Sequence, residues 1–290
     1  VGYELDAAID SGTITWTRTG GSADPSSPHV ANLAGAELNA GTFSGVLTNA
    51  PTLVDGAIYT ISVNGQDAAG NAATEVSVSN ISYDTTAPVI SNVTPVNDTN
   101  VNTTQVGYEL DAALDSGTIT WTRTGGTADP NSPHVVNLAG AELSAGTFYG
   151  VLTNAPTLVD GSIYTISLNG QDAAGNAATE VSATNITYDI TAPIFSNVTP
   201  AYDGSVTTTQ VGYDLDAAIA SGTITWTRTS GSADPSSPHV VNLAGNELNA
   251  GTFSGALTNA PTLVDGTIYT ISINGQDAAG NVATEVSVSN

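Results

Sequence analysis

The residues best equipped for chemistry in this sequence are carboxylates, and they recur at fixed places. "NGQDAAGN" stands at residues 64–71, 169–176 and 274–281. Asp67, Asp172 and Asp277 therefore each precede an Asn by four positions: Asn71, Asn176 and Asn281. The phrase "VGYELD" or "VGYDLD" adds Asp111 and Asp216, and "YDTTAP" and "YDITAP" add Asp84 and Asp189. Carboxylate and amide oxygens are hard donors, and calcium takes about six to eight of them in loose geometry. A divalent cation would also relieve the repulsion among crowded carboxylates. The competing chemistry is local: "DAAGN" is a tight turn in which Asp bonds its own backbone while Gly or Asn takes positive φ. The EF-hand order D-x-[DN]-x-[DN]-G is absent. The loop alone leaves both readings open.

The other reactive side chains are sparse. His29, His134 and His239 each follow Pro in "SPHV", with no Cys and no second His nearby, a poor transition-metal set and a good strand start. Arg18, Arg123 and Arg228 are the only cations and follow a Trp by two, which suggests an ion pair or stacking on an aromatic ring. No G-x-S-x-G occurs, and paired carboxylates carry little information in so acidic a chain, so no catalytic constellation is expected. N-x-[ST] sequons at Asn80, Asn92, Asn97, Asn102, Asn185 and Asn197 bunch near the "YDxTAP" segments, as chance allows in a sequence rich in Asn, Ser and Thr.

The elements that must position these residues repeat every 105 residues: Val1, Val106 and Val211 open the same phrase. Residues 1–80 differ from 106–185 at 10 positions and from 211–290 at 9, so sameness between copies says little about which residues matter. A 105-residue unit exceeds a solenoid repeat and matches a small domain with its own core. Three domains are expected: 1–83 without its first strand, 84–188 complete, and 189–290 without the end of its last strand. The sequence thus reads as a window on a longer repetitive protein.

No helical period is sustained, and Thr, Ser, Val, Asn and Gly favour strands and turns. The middle unit holds seven strand-like runs: 87–96, 104–111, 117–125, 133–140, 146–154, 162–170 and 178–189. "GTITWTRTG" alternates Ile119, Trp121 and Arg123 against Thr118, Thr120, Thr122 and Thr124, a period of two. Seven short strands in about 100 residues predict an all-β, two-sheet sandwich of immunoglobulin type. Trp121 falls on the third strand, where such sandwiches bury a Trp. "LVDGSIYT" matches a tyrosine corner filled by Tyr164, with Tyr59 and Tyr269 as its counterparts.

The "YDTTAP" and "YDITAP" linkers, the "DG…YT" turn and the "DAAGN" loop, in this order and spacing, resemble tandem bacterial Ig-like domains of large secreted adhesins. The likeness covers the whole chain. It implies an extracellular, non-catalytic stalk or spacer on the cell surface, whose partners are neighbouring repeats, and it implies calcium between domains in some members. Sandwich topology gathers oxygens where two units meet. The calcium sets expected are Asp84, Asp111, Asp172 and Asn176 at one junction and Asp189, Asp216, Asp277 and Asn281 at the next. Asp55, from the turn before the sixth strand, would face the first. Asp115 is a weak candidate because its counterpart is Ala220.

Charge narrows the partners further. Asp and Glu number 27 against three Arg, a net charge of −24, which excludes a nucleic-acid binder and anionic lipid. No apolar run approaches a membrane span, and the absence of Cys removes disulfides and thiolate sites. Two alternatives to the stalk stand. One is a filament subunit assembled by strand exchange between copies, with "APVISNVTPV" as donor. The other is a glycan-binding module, for which the middle unit offers Tyr149 in place of Ser44 and Ser254.

Overall fold

The computed structural model describes residues 1–289; Asn290, the last residue of the third expected domain, lies outside them. The chain divides into two compact units. One is Val1–Pro88 with Gln171–Ala178; the other is Val89–Gly170 with the residues from Thr179 onward.

The strands follow the sequence period. The first repeat carries β1 (Gly2–Leu5), β2 (Ser11–Gly21), β3 (His29–Asn32), β4 (Gly41–Ser44), β5 (Ala57–Gln66) and β6 (Val76–Tyr83). The second carries β7 (Ile90–Thr94), β8 (Asn100–Val101), β9 (Gln105–Leu110), β10 (Ser116–Gly126), β11 (His134–Asn137), β12 (Gly146–Val151), β13 (Ser162–Gln171) and β14 (Val181–Tyr188). The third carries β15 (Phe195–Thr199), β16 (Val211–Leu215), β17 (Ser221–Gly231), β18 (His239–Asn242), β19 (Gly251–Gly255), β20 (Thr267–Gln276) and β21 (Val286–Val288).

Each repeat builds two sheets. In the third these are β15-β16-β19 and β18-β17-β20-β21; in the second, β12-β9-β7 and β11-β10-β13-β14-β8; in the first, β1-β4 and β3-β2-β5-β6. One core joins both sheets of the third repeat: Phe195, Tyr213 and Leu215 from one pack with Ile224, Trp226, Ile271 and Ile273 from the other. Ile14, Trp16, Ala57 and Tyr59 centre the core of the first. The all-β sandwich expected from the period-two runs is the fold observed. In β10, Ile119 and Trp121 are buried while Thr118, Thr120 and Thr122 stay more exposed.

All seven expected strands of the middle repeat form, with two departures. The fourth stops at Asn137 because Gly140–Leu143 winds into a 3-10 turn. β8 is an addition: its two residues pair in parallel with β14, opposite Thr187 and Tyr188. The sequons also gain a structural reason. Asn80, Asn92, Asn185 and Asn197 all have φ between 52° and 61°, a left-handed region that Asn tolerates better than most residues. Asn92 and Asn197 lie where β7 and β15 shift register against β9 and β16. Their amides donate to Glu109 and Asp214 at 2.7 and 2.5 Å.

Candidate functional site: linkers and acidic loops

The acidic loop folds first upon itself. Asp172 Oδ1 accepts the N–H groups of Ala174 and Asn176, each at 2.9 Å, and its Oδ2 accepts the Asn176 amide at 2.9 Å. Gly175 supplies φ +90°. These bonds, the Asn176 amide foremost, hold the Asp172 carboxyl below its usual range. Asp67 with Asn71 and Asp277 with Asn281 form the same ring of bonds. The turn explanation of "DAAGN" is therefore met in all three copies.

The loop Asn does a second job in two copies. Asn281 also donates to the carbonyl of Asp189 at 2.8 Å, and Asn176 to the carbonyl of Asp84 at 3.1 Å. Asp84 and Asp189 begin the "YDxTAP" linkers, and each accepts the N–H two residues on, from Thr86 and Thr191 at 3.0 Å. From the other side, Asp160 in the turn before β13 takes Ile190 N–H at 2.7 Å and Thr191 Oγ1 at 2.6 Å. Asp55 does the same with Thr85 N–H and the hydroxyls of Thr85 and Thr86. The threonine hydroxyls lead in depressing the Asp55 and Asp160 carboxyls. Past the linker, Asp111 and Asp216 accept Val89 N–H and Ile194 N–H, each at 2.7 Å.

The eight expected ligands thus sort into two roles. Asp189, Asp277 and Asn281 are brought together through the Asn281 amide, as are Asp84, Asp172 and Asn176 through Asn176. Asp111 and Asp216 instead fix the start of β7 and β15. The donor chemistry suits a hard cation. Among the described residues, however, no three Asp, Glu, His or Cys side chains converge in a metal-holding group.

A buried polar cluster escaped the sequence reading. Asp129 is buried in the "GGTADPNSP" loop, and its Oδ2 accepts both the Tyr164 hydroxyl at 2.7 Å and His134 Nε2 at 2.6 Å. The Tyr164 oxygen in turn accepts Val159 N–H at 3.1 Å, so the tyrosine corner forms as expected and gains an acid. Asp24–Tyr59–His29 and Asp234–Tyr269–His239 repeat it. Tyr269, then His239, leads in pulling the Asp234 carboxyl down to about 2. The one available signal was an Asp five residues before each His. The arginines correct an expectation: Arg123 Nε and Nη2 donate to the carbonyls of Thr127 and Gly126, closing their own hairpin end. Among the described residues, the salt bridges are the three His–Asp contacts.

Residues 59–189 match the family model for bacterial Ig-like domain (group 3). No curated protein matches the chain. Solved structures similar to it include the chicken CNTN1 FN1–FN3 domains, at 10% identity and TM-score 0.39, covering 97% of this chain and 90% of that one. A tetra-tandem repeat from the extending region of a large adhesion protein is 23% identical at TM-score 0.27, covering 99% of this chain and 68% of that one. Dimeric latent PorU from Porphyromonas gingivalis is 11% identical at TM-score 0.25, covering 97% of this chain and 30% of that one. No helix among the described residues is long and apolar enough to cross a membrane. Residues 59–189 are thus similar to a bacterial Ig-like domain, and the 105-residue period carries the same sequence pattern beyond the match on both sides.

Proposed function

We propose that this chain is a structural, non-catalytic segment of an extended extracellular stalk in an adhesin-like surface protein, with three domains bounded near residues 83 and 188. The observation that carries the reading is the clasped linker. Ile190 and Thr191 are held by Asp160 of the repeat before, and the Asp189 carbonyl by Asn281 of the repeat after. A binding module has no need to fix its linkers; a spacer that transmits reach does. Repetition with so few substitutions supplies length.

Calcium is the finer part of the proposal. A cation held by Asp84, Asp172 and Asn176, or by Asp189, Asp277 and Asn281, would add to the clasp and neutralise part of the acidic surface. Small-angle scattering in excess calcium and then in excess chelator, at matched ionic strength, tests both parts. The N176A/N281A variant is expected to broaden the distribution of dimensions while leaving each sandwich folded. An unbroadened variant removes the clasp. Chelation that shortens the maximum dimension of the unsubstituted chain supports calcium, and superimposable profiles remove it.

A further inference from the structure

Asn–Gly occurs at Asn64–Gly65, Asn169–Gly170 and Asn274–Gly275, each time within the last three residues of a long strand, β5, β13 or β20. Packing calls for the Gly. A Cβ on Gly65 would come within 2.8 Å of Ile9 Cδ1 and 3.1 Å of the Ser11 carbonyl oxygen. One on Gly170 would come within 2.6 Å of Leu114 Cδ1 and 3.0 Å of the Ser116 carbonyl oxygen. The core makes no such demand on the Asn: Asn64 and Asn169 are exposed and Asn274 is half-buried. Each of the three accepts the N–H of the Gly that follows it on Oδ1, at 2.7 Å. In the first and third repeats the carbonyl of that Gly takes a bond from the returning chain, from Ala73 and Ala283 N–H at 2.8 Å, while its N–H goes to the side chain. The Gly nitrogen thus faces the side-chain amide of its own neighbour.

We propose that Asn64, Asn169 and Asn274 are sites of spontaneous deamidation. With Oδ1 at 2.7 Å, Cγ lies at most one C=O bond further from the nitrogen, about 1.2 Å. That is near the roughly 3–3.5 Å of a reacting pair, and a Gly carries no side chain to hinder the attack. The Gly nitrogen loses its proton to hydroxide and bonds to Asn Cγ. The Cγ–Nδ2 bond breaks, and Nδ2 leaves as ammonia with a proton from water, which closes a succinimide ring. Water then opens the ring at either carbonyl, giving Asp or isoaspartate; the net change is Asn and water to acid and ammonia. Ring closure turns the Asn backbone out of the extended range, which a strand interior resists and a strand end permits. Water has access. A shallow hollow of about 500 Å³ lined by Ser11, Thr13, Asn32, Asn64 and Gln66, among others, lies over the first site, and its counterpart of about 380 Å³ lies over the third. Each event adds a negative charge to a chain already at −24. Isoaspartate also lengthens the backbone just before the Gln66–Ala72, Gln171–Ala177 or Gln276–Val282 bridge that closes the acidic loop. Through Asn176 and Asn281 the change reaches the linker carbonyls of Asp84 and Asp189; this last step rests on the clasp proposed above, and the modification does not.

The test ages the whole chain in mildly alkaline buffer and follows its fragments by mass spectrometry, with isoaspartate read by enzymatic methylation. Asn64, Asn169 and Asn274 should show the amide-to-acid mass gain before the other asparagines, and the exposed two should precede Asn274. The rate should rise with pH, because the Gly nitrogen must lose its proton. Hydrogen exchange in residues 66–72, 171–177 and 276–282 should quicken as the chain ages. Asn169→Gln should stop the gain at that position alone, since Gln must close a larger ring, with tryptophan fluorescence unchanged. The N64Q/N169Q/N274Q variant should keep its loop exchange rates on ageing. Other asparagines reacting first would overturn the assignment. So would a rate at these sites more than about a hundredfold below that of the urea-unfolded chain, since the strand would then hold the reacting atoms apart. Modification that leaves the small-angle scattering profile unchanged supports the sites and removes their link to the clasp.

Discussion

At the residue scale, the best-determined group is the Asp129–Tyr164–His134 cluster. The Tyr164 hydroxyl accepts from Val159 N–H and donates to the buried Asp129 carboxylate, so it satisfies two polar groups at once. Tyr164→Phe keeps the ring but leaves that N–H and one lone pair of Asp129 unpaired. The expected loss is on the order of 1–3 kcal/mol, a fall in Tm of several degrees for that sandwich, measured by calorimetry. The related acid gives a pH dependence. Asp234 titrates at about 2 in the fold against an ordinary 3.8, so the unfolded chain takes the proton first as pH drops. Its stabilisation is complete above about pH 4 and lost between about 4 and 2. Urea midpoints of the chain should fall across that window, and an Asp234→Asn variant should show a shallower fall there. Of this cluster the Tyr was legible, because "LVDGSIYT" carries the turn beside it. Asp129 was not, because its partner lies 35 residues away and an Asp in a polar loop looks solvated.

At the element scale, alternation made the strands legible, since Ile119 and Trp121 against the threonines admit one inward face. What lacked a period was missed. β8 is two residues long and owes its existence to β14. "GAEL", which starts at the end of the fourth expected strand and runs into the gap before the fifth, forms a 3-10 turn around the buried Glu142. Glu142 Oε2 accepts Ala139 N–H at 2.7 Å; its Oε1 accepts Thr153 N–H at 2.6 Å and the Thr153 hydroxyl at 2.9 Å. One carboxylate thus ties the turn to the chain leaving β12. Glu142→Ala orphans two backbone donors, and each buried orphan costs about 1–3 kcal/mol. Chemical denaturation should show the second sandwich losing at least that much. Glu142→Gln, which keeps one carbonyl acceptor, should lose less; equal losses would mean that the side chain acts by packing alone. The linkers show the same limit of sequence reading: the carboxylates were visible, but which N–H each would take depended on strands far away in the chain.

At the scale of the whole molecule, near-identical sequences repeat one fold under one sign of charge. Residues 1–80 and 211–290 differ at nine positions, so intrinsic propensities hardly distinguish the first and third sandwiches. Each repeat carries a single Trp: Trp16, Trp121 and Trp226. Variants retaining one Trp, with Phe at the other two, assign the thermal transitions by fluorescence. The chain carries 27 acidic groups against three basic ones, one Arg in each repeat. Repulsion among them opposes the compact state, and salt screens it. Added salt should therefore raise the transition seen by each of the three Trp residues. A Trp signal that salt leaves unmoved would mean that local hydrogen bonds, such as those on the acidic loops, already offset the repulsion in that repeat.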